Sequence, residues 1–163
     1  MSALVPPLLV LAWGNPSRGD DALGPLLAER LQAHAQSAQP VGGVEVLTDF
    51  QLQVEHALDL VGRERVLFVD AAQDLAEPFV VRPLRPARGA GIGSHALAPE
   101  AVLQVYEDLH GRAAPPATLL AIRASAFGLG TGPGAAALDD LDRAFPWACR
   151  WLSGEAVTEE SSA

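Results

Sequence analysis

The chain has 163 residues, 49% of them apolar, which suffices for one well-buried domain and is short for two. Eleven basic side chains, all Arg, stand against twenty Asp and Glu, and the formal charge of -9 disfavours nonspecific attraction to nucleic acid or an anionic membrane. Cys149 is the only cysteine, which excludes an internal disulfide and a C-x-x-C cluster and fits a reducing, cytoplasmic setting.

The N-terminal stretch has no basic n-region and is broken by Pro6 and Pro7, so it reads as the approach to a first strand, "LLVLAW" (8–13), rather than as a leader. No other stretch approaches the roughly 18–20 apolar residues of a membrane span, and none is expected. After the strand, "GNPSRGDD" spaces Gly14 and Gly19 as a phosphate-binding loop would. Asp20 and Asp21 then stand where that loop carries Lys and Ser or Thr. From about Asp21, Leu23, Leu26, Leu27 and Leu31 fall on one helical stripe, with Asp20 or Asp21 as candidate N-cap.

"VEVLTD" (44–49) alternates as a strand. In "QVEHALDLVG" (53–62) the apolar positions 54, 57, 58 and 61 suggest a helix stopped by Gly62. "RVLFVDAA" (65–72) reads as a buried strand ending in an acid, and "PFVVRPL" (78–84) as an edge strand because of Pro83. Residues 85–95, "RPARGAGIGSH", are too rich in Gly and Pro for regular structure and read as a functional loop. Pro99 opens a helix running to about His110, 117–124 forms the last strand, and a final helix runs from about Ala135 to Leu152. The acidic tail, 153–163, is expected to be disordered.

The alternation implies an α/β fold: one domain over 1–152, with a mostly parallel twisted sheet of about five strands and helices on both faces. Ligands of such sheets sit at the carboxyl ends of the strands. Asp20 and Asp21 after the first strand, Asp70 closing the third and His95 closing the glycine-rich loop all fall in that region. Two carboxylates and an imidazole suit a divalent cation such as Ni²⁺, Zn²⁺ or Mn²⁺, and a Lys in the first loop would repel the ion that Asp attracts. Each has a plainer reading: an Asp at a helix start is commonly a cap, and a loop His is commonly a bystander. The functional case rests on their coincidence.

Other candidates are weaker. Cys149, between tryptophans, reads as a small hydrophobe. Ser94 adjoins His95, but no G-x-S-x-G elbow exists. His34, His56 and His110 lie at polar or terminal helix positions and are expected to be solvated.

With "GNPSRGDDALGP", "LFVDAA", "SHALAPEAVL" and "LLAIRASAFGLGTGPG" in this order, the sequence resembles the hydrogenase maturation proteases over nearly its whole length apart from the tail. These endopeptidases trim the C-terminus of the large subunit of nickel-iron hydrogenases. The resemblance implies that Asp21, Asp70 and His95 recognise the metal. The nickel would then be supplied by the hydrogenase large-subunit precursor, a protein partner, and other divalent cations could occupy the site. Ala22 stands where many relatives have Gly. "TDFQLQVEHALDL" replaces a "GGT"-like stretch and looks like the branch serving cytosolic, cofactor-reducing hydrogenases, which implies that Gln51 and Gln53 shape substrate choice. The alternatives are a nickel-site checkpoint or chaperone that does not cut, and a nucleotide-binding module. The nucleotide reading lacks G-x-G-x-x-G and sets two carboxylates where pyrophosphate would bind.

Overall fold

Strand order places the chemistry in this protein. The computed structural model describes residues 5–88 and 97–155. Strands β1 (Leu8–Trp13), β2 (Val44–Asp49), β3 (Arg65–Ala72), β4 (Phe79–Leu84) and β5 (Ala117–Arg123) form one sheet in the order β2-β1-β3-β5-β4. β1 pairs in parallel with β2 and β3, β3 pairs in parallel with β5, and β4 runs antiparallel to β5. The helices are α1 (Leu23–Ala38), α2 (Pro99–His110) and α3 (Ala135–Ser153).

The continuous apolar runs reflect burial on both faces. Leu8, Val10 and Ala12 of β1, with Leu67 and Val69 of β3, enter the core formed with α1 and α3. Leu9 and Leu11, with Val66 and Phe68, enter the core formed with α2. Each fully buried Leu or Phe contributes about 1.5–3 kcal/mol through the area it removes from water. β4 lies at the sheet edge, where Pro83 lacks an N–H to donate at little cost.

Two expected helices differ from their sequence reading. Residues Val54–Leu60 form a 3-10 helix, which buries His56, Ala57 and Leu60 and leaves Val54 and Leu58 exposed. A period near three selected the inward residues, whereas the α-helical stripe expected from positions 54, 57, 58 and 61 would have turned Val54 and Leu58 inward. At the start of the first helix, a 3-10 turn over Gly19–Ala22 precedes α1, whose N-cap is Ala22 with no side-chain cap. Neither Asp20 nor Asp21 caps α1. Of the tail assigned to 153–163, Ser153 ends α3 and Gly154 closes it in the left-handed conformation; residues 156–163 lie outside the described residues.

β1 is the switch point of the sheet: β2 lies on one side of it and β3 on the other. The β1–β3 pairing ends at Ala12 and Val69, whereas the β3–β5 pairing continues through Asp70 to Ala72. The carboxyl ends of β1 and β3 therefore part at Trp13 and Asp70, which opens a crevice where this class of fold binds ligands.

Candidate functional site

The loop after β1 has the spacing of a phosphate cradle but leaves no amide for phosphate. Gly14 N–H donates to Asp49 O, Asn15 N–H to Asp21 Oδ2 at 2.6 Å, and Ser17 N–H to Asn15 Oδ1. Arg18 N–H donates to Asn15 O, Gly19 N–H to Thr131 O, Asp20 N–H to Ala126 O and Asp21 N–H to Arg18 O. Pro16 has no N–H to offer. Every amide from 14 to 21 that could cradle an anion is thus used within the protein, which argues against nucleotide binding through this loop.

The two adjacent aspartates have separate roles. Asp20 is 1% exposed, and its carboxylate accepts N–H groups from Ser125, Ala126 and Gly134 at 2.8–3.0 Å, with the Ser125 hydroxyl at 3.4 Å. Burial pushes its pKa up, but these hydrogen bonds together outweigh that effect and hold it below the usual carboxylate value. Asp20 therefore joins the first loop to the β5–α3 loop, reinforced by Gly130 N–H donating to Ser17 O. The loop "FGLGTGPG" is thereby tied to the first loop despite its four glycines.

Asp21 and Asp70 both line a cleft of about 590 Å³ at the β1–β3 opening, together with Trp13, Arg18, Gln51 and Phe127. Asp70 lies on the same face of β3 as Val66 and Phe68, and Phe68 packs edge-on against Trp13 with ring centroids 6.1 Å apart. Burial pushes the Asp70 carboxyl up to about 7, the Ala71 N–H at 2.8 Å pulls it partly back, and the neighbouring charge of Asp21 raises it further. Among the described residues neither Asp21 nor Asp70 forms an ion pair, although Arg18 lines the same cleft. Two unneutralised carboxylates facing one cavity are the donor set a hard or borderline divalent cation takes. His95, the third expected ligand, lies outside the described residues, as does Ser94. Among the described residues no three His, Cys, Asp or Glu side chains are grouped to hold a metal ion.

Gln51 reaches the cleft, whereas Gln53 is the N-cap of the following 3-10 helix, its backbone N–H donating to His56 Nδ1 and its carbonyl accepting from the His56 backbone N–H. His56 is not solvated as its position suggested: it is 8% exposed, its Nδ1 lies 2.8 Å from Gln53 N, and its Nε2 lies 3.3 Å from Asp49 Oδ2. It secures the segment that brings Phe50 and Gln51 to the cleft. His34 is half-buried edge-on to Phe145, and His110 is exposed beside Tyr106. Cys149 is half-buried among apolar side chains, and burial pushes its thiol pKa up, consistent with a packing role. Arg18 and Phe127 were not singled out from the sequence. Arg18 lay in a motif read for its acids, and Phe127 reaches the cleft only through the Asp20 bonds.

No family model and no curated protein matches the chain. Among solved structures, a [NiFe] hydrogenase maturation protease HycI from Thermococcus kodakarensis KOD1 is 20% identical, with 91% of this chain and 93% of that one covered at a TM-score of 0.67. The hydrogenase maturating endopeptidase HybD from E. coli is 20% identical over 93% and 96% of the two chains, with a TM-score of 0.65. The [NiFe] hydrogenase maturation protease HybD from Thermococcus kodakarensis is 22% identical over 89% and 98%, with a TM-score of 0.64. At these identities the likeness is one of fold, and it covers nearly all of both chains. The expected single α/β domain with a mostly parallel five-stranded sheet is the fold these proteins share. Among the described residues no helix is long and apolar enough to cross a membrane.

Proposed function

We propose that this protein is an endopeptidase of the hydrogenase maturation type. It would remove the C-terminal extension of a nickel-iron hydrogenase large-subunit precursor after nickel insertion, in the cytoplasm. The observation that carries the reading is the meeting of Asp21 and Asp70, unpaired, at the β1–β3 crevice. The fold shared with solved hydrogenase maturation endopeptidases supports it, and so do the sequence motifs that hold both aspartates and His95.

In this reading the metal is part of the substrate. Asp21, Asp70 and His95 complete its coordination as the precursor docks, so cutting reports that nickel has been inserted. Peptide hydrolysis needs a polarised carbonyl, a water able to attack and a proton for the leaving amine. A divalent ion supplies Lewis-acid polarisation. Asn15 N–H holds one Asp21 oxygen in place, and the Ala71 N–H holds Asp70, which fixes both carboxylates before substrate arrives. In the metal-free protein the Asp70 carboxyl sits at about 7, so near neutral pH it releases its proton as it takes the cation. Trp13 and Phe127 give the cleft an apolar flank beside the two carboxylates.

The test is a two-component reaction of purified protein with nickel-loaded or nickel-free precursor, read by intact mass. The expected result is loss of the C-terminal extension from the loaded precursor alone. Equal trimming of both would overturn metal recognition. A stable complex with the loaded precursor and no mass loss would favour the non-cutting checkpoint.

A further inference from the structure

We propose that the chain carries a second ligand site, for a small organic oxyanion such as a carboxylate or phosphate monoester on an apolar body. It is formed by Arg65, Arg85, Thr118 and Trp151 at the end of the sheet opposite Asp21 and Asp70. Arg65 opens β3 and Thr118 is the second residue of β5, while β4 ends at this edge with Pro83 and Leu84. Arg65 and Asp70 are five residue steps apart along β3, roughly 16 Å at the rise of a parallel strand. The site is therefore independent of the proposed cleavage chemistry.

These side chains line a cavity of about 310 Å³, with Pro83 and Pro116 on its walls. That volume is near the lower limit for small-molecule pockets, roughly 300–1,000 Å³. The Arg65 guanidinium lies over the Trp151 ring, 4.5 Å from its centroid, and donates one N–H to Trp151 O at 3.0 Å. Both contacts orient the guanidinium fork at the wall of the cavity. Burial works against the Arg65 charge, and the charge of Glu64 offsets that only in part.

The charge pattern is what points to an anion. Arg30, Arg63, Arg82, Arg88, Arg123 and Arg143 each form an ion pair with an Asp or Glu. Among the described residues Arg18, Arg65, Arg85, Arg112 and Arg150 have no carboxylate within 4.0 Å, and of these Arg65 and Arg85 line one cavity together. In a chain with twenty acids and eleven arginines, this is not a shortage of partners. An oxyanion in the cavity would accept forked hydrogen bonds from two guanidinium groups, one of them partly desolvated. The Thr118 side chain, 4% exposed, adds a hydroxyl, and the ring of Trp151 with the two prolines suits an apolar body.

The experiment titrates the whole protein with phenyl phosphate, benzoate and inorganic phosphate, following the Trp151 indole N–H and the arginine Nε–H resonances. Saturable shifts are expected for at least one organic probe, at least about tenfold tighter than for inorganic phosphate. Arg65→Gln should abolish them and Arg65→Lys should weaken them. Because Arg65 packs on Trp151, its replacement could disturb folding, so Arg85→Gln, at an exposed residue, serves as the second variant and should weaken binding about tenfold. Linear, non-saturating shifts for all three probes, equal affinity for all three, or wild-type affinity in Arg85→Gln would each overturn the proposal.

Discussion

A Cβ placed on Gly14 would lie 2.0 Å from the carbonyl oxygen of Asp21, closer than any real contact allows. Gly14 also has φ +147, a backbone conformation that side chains disfavour. The glycine after β1 thus sets how near the chain can bring Asp21 to the strand end. Gly14→Ala should displace Asp21, cost more than about 1 kcal/mol in thermal or denaturant unfolding, and impair cleavage beyond the loss of folded protein. A variant with native stability and activity would contradict this role.

Asp20 should behave as a structural carboxylate. Asp20→Ala leaves the N–H groups of Ser125, Ala126 and Gly134 without their acceptor. The expected loss is about 3 kcal/mol, or roughly 6–12 °C in melting temperature. Its pKa is held below the unfolded value of 3.8, so its contribution is complete above that value and is lost as pH falls through the folded one. The gap in melting temperature between wild type and Asp20→Ala should therefore stay constant from pH 7 down to about 4 and narrow only below that.

Asp70 has the opposite sign. Its carboxyl is at about 7 in the folded protein against 3.8 for the ordinary group. Between these values the folded state holds the proton more tightly, so stability falls as pH rises toward 7 and the full penalty persists above it. Asp70→Asn should raise the unfolding free energy at pH 8, by a few kcal/mol at most, and have little effect near pH 4. Added Ni²⁺ should stabilise the wild type at pH 8 more than the variant. A wild type more stable than Asp70→Asn at pH 8 without metal would show that the carboxylate is not under this strain.

Phe50 is 65% exposed and lines the cleft beside Gln51. An exposed aromatic at the mouth of the site suits a polypeptide substrate. Phe50→Ala should leave stability within about 0.5 kcal/mol and raise KM for the precursor with little change in kcat. Unchanged KM would remove Phe50 from the docking surface.

The parts of the fold legible in the sequence were those decided by local burial. β1, β3 and β5 read as apolar runs because both faces are covered, and Pro83 marked β4 as an edge. Asp21 and Asp70 were legible because each follows or ends such a run, and the sheet brings those ends together. The division of labour between Asp20 and Asp21 was not legible. The partners of Asp20 lie 105–114 residues away, and only the closed structure places their amides around its carboxylate. The burial of His56 was hidden for a related reason: it depends on a 3-10 period, and the apolar positions 54, 57, 58 and 61 also fit an α-helix.

The account turns on Asp21 and Asp70 acting together on a nickel-loaded precursor. The most direct measurement is the cleavage rate of that precursor by Asp21→Asn and Asp70→Asn, followed by intact mass, with circular dichroism verifying the fold. The account predicts a loss of at least about 100-fold for each variant with the fold retained. Folded variants that cut within a few-fold of wild type would contradict it.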